Sequence, residues 1–160
     1  MQDHTKGHVD HSNLFTLTAS LVVIFCQFVG WLLSGALPQP IQVLSTVVVE
    51  VNLVRSENHG MNFGMFAGDT VAHKLALISV AVIVCLALAF VFLRKGTTAY
   101  AIAGGMIVGG GMSNVLERLT LGYVFDYLNT PVFGMNNPFS YNLADIFIVL
   151  PIAWWVLKRD

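Results

Sequence analysis

Charge is what this chain has least of: Lys, Arg, Asp and Glu make up only 11% of its 160 residues and nearly cancel, leaving a net charge of -1. With so little charge there is no basic footprint to hold a phosphate backbone, so nucleic acid is excluded as a partner. Cysteine is scarce too. Cys26 and Cys85 each stand alone inside an apolar run, without the paired spacing of a zinc, redox or disulfide site, and both read as small buried hydrophobes. No HExxH-type spacing links His59 and His73 to an acid, so metal ligation there ranks below chemistry by paired acids. Ser113 has no histidine placed to activate it, which argues against a serine triad.

Apolar sequence fills what those absences leave. Hydrophobic residues make up 56% of the chain and mean hydropathy is +0.72, a composition suited to lipid as solvent. At a rise of 1.5 Å per residue, a hydrocarbon core of roughly 30 Å needs about 20 apolar residues. Residues 14–36, 71–93, 98–116 and 141–157 come close to this. The first run is too long for a signal-peptide core and lacks a small-residue cleavage site, so it is expected to be retained. The fold class expected is therefore an integral membrane, mainly α protein: a single domain, 1–160, built as a four-transmembrane-helix bundle. Residues 1–13, which hold His4, His8 and His11, read as a solvated tail.

Basic residues orient the bundle. Lys6 precedes the first span, Arg94 and Lys95 separate the second and third, and Lys158 and Arg159 follow the fourth; the positive-inside rule makes these ends, and both termini, cytoplasmic. The connections 37–70 and 117–140 then face outward. Within the first, residues 41–53 alternate, with Ile41, Val43, Val47, Val49, Val51 and Leu53 on one face, the pattern of a half-buried strand. A small extracytoplasmic sheet is expected there, either offering an edge to an extended peptide or only covering the bundle. In the third span Ala101, Gly105 and Gly109 recur every fourth residue beside Gly104, Gly110 and Gly111. Small residues on one face let membrane helices approach closely, which places this helix at the centre.

Ionisable groups in a membrane are costly and mark function by default. Asn114 and Arg118 share a face at the outer end of the third span, Asp126 follows in the outer connection, and Asn142 and Asp145 open the fourth. Singly each has a plainer role: Asn142 and Asp145 as a helix cap with an acidic first turn, Asp126 as an ion-pair partner of Arg118. Together they place two acids, two amides and one arginine at one depth on one side. Two close carboxylates share a proton, so one can take a proton from water while the other donates to a scissile carbonyl, and the pair titrates as a unit. Arg118 favours the ionised forms, which suits orienting or gating better than catalysis.

At these residues the chain resembles the lipoprotein signal peptidase (signal peptidase II) family. The family's Gly-Asn-x-x-Asp-Arg reads here Ser113-Asn114-Val115-Leu116-Glu117-Arg118, its Gly-Tyr-Val-x-Asp-Phe reads Gly122-Tyr123-Val124-Phe125-Asp126-Tyr127, and its Phe-Asn-x-Ala-Asp reads Tyr141-Asn142-Leu143-Ala144-Asp145. Its Arg-Asn-x-Gly-Ala-Ala-Phe matches Glu57-Asn58-His59-Gly60-Met61-Asn62-Phe63. The resemblance implies four membrane helices, a β-cradle between the first and second, and catalytic Asp126 and Asp145 near the outer leaflet of a bacterial inner membrane. It implies Asn58, Gly60, Asn114, Arg118 and Asn142 as groups that support the acids or hold substrate. The reaction implied is removal of the signal peptide from a prolipoprotein ahead of its diacylglyceryl-modified cysteine, with no metal and no cofactor expected, by a monomer whose partners are that membrane-anchored peptide and membrane lipid.

Departures mark a divergent member. The family's first helix carries Asp-Gln-x-Thr/Ser-Lys where Cys26-Gln27-Phe28-Val29-Gly30 stands here, and Glu57, Met61, Asn62, Ser113 and Glu117 replace other residues. Two alternatives follow: a relative that binds a lipidated or transmembrane peptide without cleaving it, or one with shifted specificity. A transporter or proton relay fits less well, because the acids cluster at one surface instead of stepping through the bilayer.

Overall fold

The computed structural model describes residues 10–37, 40–46, 48–60, 70–135 and 137–158. His4, Lys6, His8, Val47, Met61, Asn62, Phe63, Asp69 and Arg159 lie outside these residues. The order of elements is α1 (His11–Ala36), β1 (Ile41–Ser45), β2 (Glu50–Asn58), α2 (Val71–Arg94), α3 (Thr98–Thr120), β3 (Val124–Asn129) and α4 (Leu143–Leu157).

Each helix starts where a short polar side chain takes orphan backbone N–H groups. Asp10 accepts from Ser12 N at 2.9 Å and Asn13 N at 3.2 Å, so residues 11–13, expected in the tail, are already helical. Thr70 accepts from His73 N at 3.2 Å and Thr97 from Tyr100 N at 3.4 Å. Asn142 and Asp145 form a reciprocal capping box that sets the start of α4 at Leu143, two residues past the expected start. The third helix continues to Thr120, carrying Glu117 and Arg118 within it.

Three helices, α1, α2 and α3, are long and apolar enough to cross a membrane. The fourth has 15 residues, about 22 Å of helix against a roughly 30 Å core. On α1 and α2 large apolar side chains face outward, with Trp31 71% and Leu86 65% exposed, an arrangement that suits lipid and not water. α3 instead is largely buried. Its small residues meet a different neighbour on each side: a Cβ on Gly105 would stand 2.7 Å from Phe15 O of α1, and one on Gly110 would stand 2.5 Å from Ala144 O of α4. Such approach is closed to any larger residue. At the opposite end from the sheet, Phe92, Tyr100, Trp154 and Trp155 pack together, and the Lys95 and Lys158 ammonium groups lie 5.6 and 5.4 Å from the Tyr100 ring centre.

The sheet corrects the reading of 41–53 as one half-buried strand. The chain reverses after Ser45, so β1 and β2 form an antiparallel hairpin with Ile41 opposite Leu53 and Ser45 opposite Glu50. β1 is exposed along its whole length. A third strand, β3, comes from what reads in sequence as the second outer loop and pairs with β2, giving the order β1-β2-β3.

Candidate active site

Sheet register brings the first acid into place. Asp126 lies opposite Ser56 and Val124 opposite Asn58, so by the two-residue period of a strand the Asn58 side chain shares a face with Asp126 at the diagonal position. Asn58 Nδ2 donates to Asp126 Oδ2 at 2.9 Å. The amide is itself oriented, because Gly60 N donates to Asn58 Oδ1 at 3.0 Å. Arg118 fixes that turn to α3: its Nη2 donates to Gly60 O at 2.9 Å and its Nη1 reaches Asn114 O at 3.4 Å. Arg118 Nε is buried with no hydrogen-bond partner among the described residues.

The second acid arrives with α4, tied directly to β3. Leu128 and Tyr141 exchange backbone hydrogen bonds at 2.8 and 2.9 Å, and Leu143 N donates to the Tyr127 hydroxyl at 3.2 Å. Asp145 Oδ2 accepts from Asn142 N at 3.0 Å and its Oδ1 from Asn114 Nδ2 at 3.0 Å. Asn142, 2% exposed, is the hub. Its Nδ2 donates to Asp126 Oδ1 and to Asn114 Oδ1, both at 3.1 Å, while its Oδ1 accepts from Asp145 N at 3.1 Å. Thus one asparagine touches both acids, and all four carboxylate oxygens have an N–H donor. The seven site residues expected from sequence, Asn58, Gly60, Asn114, Arg118, Asp126, Asn142 and Asp145, all belong to this one network.

Burial disfavours charge on Asp126 and pushes its carboxyl up to about 7, against the Asn58 hydrogen bond and with help from the nearby Asp145. Two hollows flank the second acid. A groove of about 370 Å³ between α2, α3 and α4 has Asn114, Arg118 and Asp145 at its polar end and Leu77, Val80, Ile107 and Ile148 along its wall. On the other side of α4 a hollow of about 340 Å³ is lined by Phe139, Tyr141, Asp145 and Val149. Among the described residues no three His, Cys, Asp or Glu side chains gather in a group fit for a metal. His59 lies beside Glu57, at 3.8 Å, and the Tyr123 ring.

Sequence reading passes over three contacts here. Glu117 Oε2, buried, accepts from Phe125 N at 2.8 Å; Gln27 Nε2 donates to Ser113 Oγ at 2.9 Å; and the Tyr127 hydroxyl holds the start of α4. Glu117 and Ser113 stand out in sequence only as departures from a motif, and spacing does not tell what a lone side chain reaches.

Fold and site together define a polytopic membrane protein that keeps an acid-centred polar network at one end of an apolar helix bundle. The chain belongs to the signal peptidase II family: the family described as Signal peptidase (SPase) II matches residues 15–159. It is 33% identical over 142 residues to a lipoprotein signal peptidase of Methylobacterium sp. strain 4-46, covering 88% of this chain and 83% of the relative. To a lipoprotein signal peptidase of Rhodopseudomonas palustris it is 31% identical over 130 residues, covering 77% and 76%. In fold it is similar to a bacterial membrane enzyme solved by the in meso method at 2.3 Å resolution, with a TM-score of 0.74 at 20% identity over 91% of this chain and 86% of that one. Family membership makes this chain a membrane protease.

Proposed function

We propose that the chain is an intramembrane aspartic endopeptidase that removes signal peptides from lipid-modified prolipoproteins, with Asp126 and Asp145 as its catalytic pair. The observation that carries this reading is Asn142, whose backbone and side chain hydrogen-bond both carboxylates at 3.0 to 3.1 Å. Held in one network, each acid disfavours ionisation of the other, so one member works protonated while its partner works ionised. The ionised member takes a proton from a water, the water attacks the scissile carbonyl carbon, and the protonated member donates to the carbonyl oxygen. Collapse of the resulting diol with proton transfer to the amine breaks the C–N bond and returns the pair to its starting charge.

Asn58, Asn114 and Asn142 hold the acids in register, and Gly60 and Arg118 fix the turn that carries Asn58. Arg118 stands at the polar end of the groove, where its guanidinium suits orienting a substrate peptide. The apolar wall below takes a signal-peptide side chain or acyl chain. In the membrane α4 serves as a fourth, short span, termini and the Lys95 and Lys158 end lie in the cytoplasm, and the sheet and acids lie at the outer leaflet of a bacterial inner membrane, in a monomeric enzyme.

The test is to incubate purified protein with a diacylglyceryl-modified prolipoprotein and its unmodified twin and to identify products by mass. Cleavage of the modified form just before the modified cysteine is expected. Binding of both peptides with no product on prolonged incubation would support a non-cleaving relative.

A further inference from the structure

The first-helix motif segment, with Gln27 kept and Gly30 changed, faces the changed positions Ser113 and Glu117 of the third helix. Gln27 of α1 donates to Ser113 of α3 at 2.9 Å, and one turn further along, a Cβ placed on Gly30 would stand 3.3 Å from Glu117 Oε1. Glu117 is 6% exposed and its other oxygen accepts from Phe125 N at 2.8 Å. Phe125 immediately precedes Asp126 in β3, while Asn114, which holds Asp145, lies one turn before Glu117 on α3. The Glu117 to Phe125 bond is therefore a strut between the helix that seats one acid and the strand that carries the other.

We infer that Glu117 is the positioning residue of Asp126, setting the β3 backbone beside the acid through Phe125 N, and that glycine at position 30 makes room for its longer side chain. Aspartate, the family's residue at this place, is shorter by one C–C bond of about 1.5 Å. From the same Cα it would leave Phe125 N beyond hydrogen-bond reach, so in this chain glutamate and Gly30 form a matched pair. Among the described residues the Glu117 carboxyl accepts one hydrogen bond, from Phe125 N, and the carbonyl of glutamine can accept the same N–H.

The role of Glu117 in turnover rests on the peptidase reading above, so the test has one readout that needs no turnover. Glu117→Asp is expected to lower kcat by about 10- to 100-fold, the size of effect that follows from roughly ångström misplacement of a reacting group, with KM nearly unchanged. Glu117→Gln is expected to keep kcat near the wild-type value. Gly30→Ala should lower kcat in the wild-type background and not in the Glu117→Asp background, since the shorter side chain vacates the space. Hydrogen exchange of the segment around Phe125, read by mass spectrometry, should lose protection in Glu117→Asp and keep it in Glu117→Gln. Unchanged protection and kcat in Glu117→Asp, equal loss in the Asp and Gln variants, or independent effects of Gly30→Ala and Glu117→Asp would each overturn the inference. Should wild-type protein cleave nothing while exchange follows the expected pattern, the strut stands and the peptidase reading fails.

Discussion

Asn142 carries the largest share of the site's geometry for one residue. It caps α4, seats Asp145 and bridges to Asp126 and Asn114. Asn142→Ala should cost about 1 kcal/mol of stability from the lost cap and lower cleavage by at least about 100-fold, as loss of a positioned acid–base pair does; thermal unfolding in detergent and peptide turnover measure the two. Asp126 predicts the pH behaviour. Its carboxyl lies at about 7 in the fold against an ordinary 3.8, a raised value, so its contribution to stability is fully present below the unfolded value and is lost as pH rises through about 7. Thermal midpoints should therefore fall between pH 5 and pH 8 for wild type and fall less for Asp126→Asn, and turnover should decline on the alkaline side as the shared proton leaves. Asn114, Arg118, Asn142 and Asp145 were legible in sequence because helical spacing puts polar groups on one face regardless of tertiary detail. Asn58 and Gly60 came from the motif resemblance. Glu117 and Gln27 were not legible, because their partners lie on other elements.

Among the elements α3 decides the packing, with α1, α2 and α4 each laid against a glycine or alanine of its surface. Gly105→Val should place methyl groups where Phe15 O and Thr18 Cβ already stand, 2.7 and 2.8 Å from a single added Cβ. The expected cost is about 1–3 kcal/mol of overpacking, read as a lower midpoint in detergent with Gly35→Val, which faces open space, as the control. The glycine stripe announced this role in sequence, since small residues at helical spacing have few other uses in lipid. The hairpin was harder. Its reversal contains no glycine or proline; Thr46 makes the turn instead, its Oγ1 accepting from Val48 N at 3.3 Å and Val49 N at 2.9 Å and donating to Val49 O at 2.7 Å. The run of valines beside it continues the alternation, so two strands read as one. β3 was hidden for another reason: its residues 124–127 are all buried, and no alternation betrays a strand covered on both faces.

For the molecule as a whole, the proposed topology places the sheet and the acids on one side of the bilayer and the Lys95 and Lys158 aromatic cluster on the other. Cys26 and Cys85 are buried, so single reporters can be added to the natural chain. In intact cells a membrane-impermeant thiol reagent should label Met135→Cys, which is 67% exposed in the native residue, and should label Lys95→Cys only after the membrane is opened. The reverse pattern would invert the orientation. The proposed chemistry needs both acids at once, held by one asparagine beside an apolar groove. The most direct measurement is therefore single-turnover cleavage of a diacylglyceryl-modified prolipoprotein by wild type, Asp126→Asn and Asp145→Asn, each first shown folded by its thermal midpoint. Product from the wild type alone is expected; undiminished cleavage by either variant would remove that aspartate from the reaction and contradict a two-acid mechanism.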